Sequence, residues 1–373
     1  MKSCTIACIA RIIDEIAPPA LAETWDNPGL QIGDFNWPVK KIMTALDPIP
    51  RVIENACKEK IDLLVTHHPL LLKPLKKLDL GSFYGKTVEA CIKNKMAIYC
   101  AHTNLDSAEG GLNDLLAKKI GLIDIKVLGR QPDVDLYKLV VFAPVENEAE
   151  IVEAIGKSNA GKIGAYTCCT FRNNGIGTYI PHETSTPHEG VAGELSNVKE
   201  VRIETVVEKK DIDAVLTLIR SVHPYETMAY DLYPLLSKNS GQGMGRIGRL
   251  PKPVPFTAFY KKVKKRLKLD TVKIAGRPEL MVTKVALCSG SGSGMIKAFM
   301  ASGADIYVSG DLKYHDAVDV TRKGLGLLDI GHFCSEHIIV SEIARTLKKK
   351  IGDKGLGVSV QACTLETDPF STV

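Results

Sequence analysis

The chain has no Cys-x-x-Cys pair, no apolar run long enough to cross a bilayer and no large excess of either charge. It also has no Gly-Lys-Ser/Thr step after a glycine-rich loop. Each absence removes a class of function. Ten cysteines without paired spacing, several inside apolar patterns (Cys91, Cys100, Cys288), read as small buried hydrophobes of a reducing compartment rather than a disulfide framework. The adjacent Cys168 and Cys169 would point to opposite faces of a strand and so do not pair. Without an apolar run of bilayer length there is no membrane span. The N-terminal apolar stretch is broken by Arg11, Asp14 and Glu15 and lacks a cleavage site, so it is no signal peptide, and the expected location is the cytoplasm. A net charge of +5 gives no push toward nucleic acid. The basic stretches 261–268 and 348–350 have no interleaved aromatics for base stacking and read as solvated helix faces. No Gly-Lys-Ser/Thr step follows the glycine- and serine-rich loop 288–294, so that loop is not a Walker loop.

What is present is ordinary globular composition over 373 residues, enough for two or three domains. Ile6, Ile9, Ile13 and Ile16 mark one face of a helix that Pro18-Pro19 ends. The first third then alternates: strand 41–46, helix 51–59, strand 61–65, helix 85–94, strand 96–100. The last third repeats the plan, with strands 284–288, 305–309 and 326–330, a helix over 295–301 and a long helix over 333–349. This is α/β patterning with buried strands. Aligning Thr44-Ala45-Leu46 with Val285-Ala286-Leu287 brings 64–66 near 307–309 and His102–Asp106 onto His332–Glu336. The outer thirds therefore read as a duplicated α/β unit forming mixed sheets, with chance similarity of generic α/β units as the alternative.

The middle third differs. Strand 137–143 and helix 148–157 precede a hairpin, 166–172 with 176–180, across Asn173-Asn174-Gly175; strand 201–207, helix 211–222 and strand 228–233 follow. That order fits an inserted ferredoxin-like α+β domain. The boundaries fall at 1–130 for the first half, 131–238 for the insert and 239–373 for the second half. The flanks 129–132 and 238–248 read as loops.

Chemistry gathers at strand ends. His102 and Asp106 are four residues apart, as are His332 and Glu336, and His67-His68-Pro69 ends another apolar run. Bland uses compete. Asp106 could cap a helix, Glu336 could match a helix N-terminal charge, and one of His67 and His68 could be packed while the other is exposed. Taken together, imidazoles and carboxylates from three strand ends suit divalent metals. Five or six ligands are too many for one tetrahedral zinc and suit two ions about 3.5–4 Å apart bridged by a carboxylate. The donor mix favours zinc, iron or manganese over calcium. The loop 288–294, rich in glycine and serine, could hold a phosphate on its backbone N–H groups or be a plain turn. His315 could move a proton beside the metals or be a surface residue. His223-Pro224-Tyr225-Glu226 reads as a surface metal site or a turn.

At Trp25-Asp26-Asn27-Pro28-Gly29-Leu30-Gln31, Thr66-His67-His68-Pro69, His102–Asp106, Ser309–His315 and Gly331-His332 with Ser335-Glu336, the chain resembles the Nif-three-like family, also called GTP cyclohydrolase type-two homologues. The resemblance covers both outer thirds. The middle is similar to the PII-like or CutA-like insert of longer bacterial members, in which 223–226 is a typical motif. The resemblance implies a two-metal site held by His67, His68, Asp106, His332 and Glu336, with His102 at or beside the metals. It also implies a homohexameric toroid with the metal sites facing its cavity. The expected function is a metal-dependent hydrolase of a nucleotide or other phosphorylated small molecule, with GTP ring opening one candidate and Glu336 and His315 the catalytic candidates. The alternative is a non-catalytic metal-binding regulator or metallochaperone whose insert senses a ligand.

Overall fold

The computed structural model describes residues 4–128, 136–164, 166–235 and 242–371. It divides into two compact units, one made of 1–130 with 240–373 and the other of 131–239. The loop expected at 129–132 lies outside the described residues, as do residues 238–241 of the other flank.

In chain order the first unit opens with α1 (Ile6–Ile16), β1 (Gly29–Ile32), β2 (Lys41–Ala45), α2 (Pro50–Lys58), β3 (Leu63–Thr66), α3 (Phe83–Asn94) and β4 (Ala97–Cys100). Then come α4 (Thr103–Ser107), α5 (Leu112–Ile120) and β5 (Ile123–Val127). The second unit holds β6 (Leu136–Pro144), α6 (Glu148–Lys157), β7 (Thr170–Tyr179), β8 (Ser196–Glu208), α7 (Ile212–Arg220) and β9 (Tyr230–Pro234). The chain returns through β10 (Arg246–Pro255), α8 (Phe256–Leu267), β11 (Lys273–Ala275), β12 (Met281–Ser291), α9 (Ile296–Ala301) and β13 (Ile306–Gly310). It ends with α10 (Tyr314–Arg322), β14 (Gly326–Asp329), α11 (His332–Glu336), α12 (Ile338–Asp353) and β15 (Ser359–Ala362).

The first unit has two mixed sheets, ordered β1-β4-β3-β2-β15 and β11-β14-β13-β12-β10-β5. In each, three adjacent strands run parallel (β2, β3, β4 and β12, β13, β14), with an antiparallel strand, β1 or β11, beside the last. β3 and β4 are buried at every position, as their unbroken apolar runs require of parallel strands covered on both faces. Helix α5 joins the two cores. Leu112 packs in the first, and Leu116, Ala117 and Ile120 pack in the second.

The ladders fix the internal alignment. Ile42 pairs with Leu63 and Val285 pairs with Ile306, twenty-one positions apart in each case. The Asp62 carboxylate accepts from the N–H groups of Lys40 and Lys41, and Asp305 accepts from those of Thr283 and Lys284. Thr44 therefore corresponds to Leu287, two residues beyond the sequence alignment. At the last parallel strand, the Ala101 N–H donates to Thr66 and the Ile330 N–H to Ser309. That makes His102 the counterpart of Gly331, not of His332. The two His-to-acid steps are thus one residue out of register: His102 precedes α4, whereas His332 is the first residue of α11.

Other expectations change locally. The helix predicted over 333–349 breaks at His337, so Glu336 closes a short helix rather than opening a long one. Arg246–Gly248 are strand, not loop, because β12 and β5 flank them with ladder partners. In the second unit, 170–179 is one strand rather than a hairpin. All ten residues find partners along the thirteen-residue β8, including Asn174 with Val201 and Gly175 with Glu200, so no chain reversal occurs there. The second unit's antiparallel sheet, ordered β7-β8-β6-β9, carries α6 and α7, whose apolar faces share a core with Val141 and Ile203.

Candidate metal centre

Carboxyl ends of parallel strands are where α/β sheets collect ligands. His67 and His68 follow β3, His102 follows β4, Asp47 lies just beyond β2, and His332 lies just beyond β14. The structure brings all six predicted ligands together. His67 Nε2 lies 3.7 Å from Asp106 Oδ1 and 3.8 Å from Glu336 Oε1. His68 Nε2 is 2.9 Å and His332 Nε2 is 3.0 Å from Glu336 Oε2. Their ligand atoms form two compact groups, His67–His68–His102 and His68–His332–Glu336. The Glu336 carboxylate spans them, with one oxygen toward His67 and the other toward His68 and His332.

The other ring nitrogens are all engaged. Nδ1 of His67 meets the Ala101 carbonyl at 3.0 Å, Nδ1 of His68 meets Asp47 at 2.7 Å, Nδ1 of His102 meets Asp26 at 2.8 Å, and Nδ1 of His332 meets Asp311 at 2.7 Å. An acceptor facing Nδ1 fixes its proton there and leaves the Nε2 lone pair for a cation, the arrangement that orients metal-bound imidazoles. Two buried atoms, His67 Nε2 and Glu336 Oε2, have no hydrogen-bond partner. Such orphans are costly unless a cation completes them, so the donor set fits the implied metals.

The electrostatics agree. Burial works against ionising Glu336, but His332, His67 and His68 hold its carboxyl well below the usual range. Burial and the Glu336 charge push Asp106 up, against the pull of His67. Burial works against charge on His68, but Asp47 and Glu336 outweigh it and raise the imidazole to about 10. Glu336 is the main cause of raising His332 to about 9, with Asp311 helping against burial. The pocket attracts positive charge, and protons compete with metal for it.

The glycine- and serine-rich segment serves this site structurally. Ser289 N–H donates to Asn113, Gly290 N–H to Ser335 Oγ and Gly292 N–H to Ser309 Oγ, while Ser289 Oγ reaches Asp106 at 3.2 Å. Those N–H groups are spent on buried side chains, which removes the phosphate-cradle reading. His315 is exposed near the start of α10, with Tyr314 as a ring neighbour, and no contact among the described residues joins it to the cluster. In the second unit His223 uses both nitrogens, Nε2 toward the Phe142 carbonyl and Nδ1 accepting from the Tyr225 N–H, so it holds a turn. A third potential ligand group, Glu146, His188 and Glu189, is fully exposed and has no buried donor.

Sequence reasoning missed the orienting carboxylates. Asp47 was within reach, since it follows a strand of the same parallel set. Asp311 stands where the first half has His68. Asp26 comes from the loop just before β1, not from the carboxyl end of a parallel strand, and carried no signal beyond its motif.

Fold and site define an α/β protein with a candidate dinuclear metal centre assembled from two related sheets. The Duf34/NIF3 (NGG1p interacting factor 3) family profile matches residues 4–369, and the chain belongs to that family. It is 38% identical over its full length to the full length of a Halalkalibacterium halodurans protein named GTP cyclohydrolase 1 type 2 homolog. It is also 38% identical to the Bacillus subtilis protein of the same name, covering 97% of each chain. A solved Bacillus cereus protein related to NIF3 is 38% identical and superposes over the whole of both chains with a TM-score of 0.70.

Proposed function

We propose that this protein is a hydrolase dependent on two divalent metal ions and acting on a nucleotide or other phosphorylated small molecule. The observation that carries the reading is the convergence of four imidazole Nε2 atoms and two carboxylates, with every Nδ1 tied to an acceptor. His67, His68, His102, Asp106, His332 and Glu336 would hold the ions, with Glu336 between them. Zinc, iron or manganese suits this donor set better than calcium. Such a metal pair supplies an acidified water and a clamp for a phosphoryl or carbonyl oxygen. The chain's own part is to hold these side chains in one orientation and to keep Glu336 ionised. Trp25, 59% exposed with its ring 5.9 Å from that of His102, offers a flat face on which a base can stack. GTP ring opening, suggested by the relatives' name, belongs to this class. His315 is retained as a proton carrier only if its variant changes turnover.

The second unit's strand order, with β8 between β6 and β7 and β9 at the outer edge of β6, supports a ferredoxin-like sandwich of the PII or CutA kind. Every ligand candidate of the centre comes from the first unit, which favours a second reading, a metal-binding regulator whose second unit senses a ligand. We further propose a homohexameric toroid. We also propose a cytoplasmic setting without nucleic-acid or membrane partners, supported by ten unpaired cysteines and by the absence, among the described residues, of a helix long and apolar enough to cross a membrane. Light scattering at six chain masses tests the assembly. Protein loaded with zinc, iron or manganese, assayed against nucleotides and phosphoesters beside Glu336→Gln, tests the reaction. Turnover lost in the variant supports the hydrolase. No turnover of any substrate, or full activity in the variant, leaves the regulator.

A further inference from the structure

A well-defined concavity lies within the second unit, far in sequence from every candidate ligand of the metal centre. It is a cavity of about 420 Å³, a size suited to a metabolite. Tyr179, His182, His188, Glu200, Tyr225 and Glu226 are among its lining residues. Three rings gather around its wall: Tyr225 is 6.4 Å from Tyr179 at 70° and 6.0 Å from His188 at 53°. Two carboxylates line it, and no lysine or arginine does.

The wall is held in place. His223 accepts from the Tyr225 N–H and bonds the Phe142 carbonyl, which fixes the turn carrying Tyr225. The Tyr225 hydroxyl donates to Glu200 Oε1 at 2.8 Å, aligning ring and carboxylate and leaving Oε2 for another donor. Glu226 Oε1 accepts from the Thr186 N–H, tying this turn to the segment that carries His182 and His188. The Tyr179 hydroxyl donates to the Glu189 carbonyl and secures the same segment from the strand side.

Aromatic faces around a carboxylate attract positive charge, through the ring quadrupole and through charge-assisted hydrogen bonds. A phosphate would meet two carboxylates and no lysine or arginine, so an anion is disfavoured. We propose that this cavity binds a small organic cation, one whose ammonium or guanidinium nitrogen donates to Glu200 while its carbon body lies against Tyr179 and Tyr225. This assigns the His223-Pro224-Tyr225-Glu226 turn a ligand-positioning role in place of a metal-binding one. The site uses no residue of the metal centre and does not depend on the hydrolase reading.

The test is calorimetric titration of the metal-loaded full chain with agmatine, spermidine and putrescine, with glycerol as the neutral control. Saturable binding of at least one cation is expected, with no binding of glycerol. Glu200→Gln keeps an acceptor for Tyr225 and should weaken that binding tenfold or more, and Tyr179→Ala should weaken it several-fold. Both variants should keep the parent's metal content and thermal midpoint. Binding unchanged in Glu200→Gln, or absence of binding by all three cations, overturns the proposal. A variant that fails to fold is replaced by Tyr225→Phe, which removes only the hydroxyl that aligns Glu200 and must also weaken binding.

Discussion

His68 Nε2 lies 2.9 Å from Glu336 Oε2, yet that oxygen has no hydrogen-bond partner. The ring's proton is held on the other side, at Nδ1, by Asp47 2.7 Å away. Two acceptors that close need a cation between or beside them, and Asp47 is what aims the ring. Replacing Asp47 with Asn keeps an oxygen but removes the charge that raises ligand basicity. Metal affinity should fall about 10- to 100-fold, as for other orienting partners of metal-bound histidine. Competition with a chromogenic chelator measures it. Unchanged affinity would mean that His68 is not a ligand. Asp47 also helps to raise the His68 imidazole, so the thermal midpoint of the metal-free variant should fall as well.

Protons and metal should oppose one another at this centre. Without metal, the His68 imidazole is raised to about 10 and that of His332 to about 9, from an ordinary 6.5. A raised histidine contributes stability that is fully present below its unfolded value and is lost as pH rises through the folded one. The metal-free protein should therefore lose stability between about pH 6.5 and 10. Metal binding displaces those protons, so apparent affinity should climb through the same window and level off above it. Chemical denaturation of the apo protein and chelator competition, each across that range, check the two slopes. Affinity that falls as pH rises would contradict the ligand assignment.

The six candidate ligands were legible because histidine and carboxylate at the ends of apolar runs are read directly from order along the chain. What sequence could not give was register. His102 and His332 look equivalent by spacing, but the ladders make Gly331 the counterpart of His102, and a one-residue offset is invisible without hydrogen-bond partners. The asymmetry at β13 has a steric cause as well. Gly310 stands where the first half has His67, and a Cβ there would meet the backbone of His332 at 2.6 Å. A second histidine pair could not be housed. The straight course of 170–179 was hidden because Asn-Asn-Gly is a turn sequence that a long partner strand overrides.

Gly290 is positioned by the centre rather than by a phosphate. Its φ is +59°, and a Cβ would come within 2.1 Å of Glu336 Oε1. Gly290→Ala therefore combines a left-handed backbone with displacement of the Glu336 carboxylate. A loss of about 1–2 kcal/mol is expected from the backbone alone, together with a fall in bound metal. Denaturant unfolding and elemental analysis should report both. Full metal content in this variant would show that Glu336 can move without releasing an ion.

Arg246 and Asp114 form a buried two-point ion pair in the first unit. The guanidinium is 1% exposed and forms a fork, Nε to Oδ1 at 2.7 Å and Nη2 to Oδ2 at 3.1 Å. It also donates to the carbonyls of Ala108, Gly243 and Gly245. Asp114 lies in the first turn of α5, one residue from Asn113, which accepts from Ser289 at the metal centre. Asp114→Ala leaves a buried guanidinium without its counterion, a change that typically costs about 3–5 kcal/mol. The expected result is a large drop in the denaturation midpoint, with a weaker loss of metal as α5 shifts. Asp114→Asn keeps acceptor geometry on one side and should recover part of the stability. Equal destabilisation by both variants would show that charge, not hydrogen-bond geometry, dominates the pair.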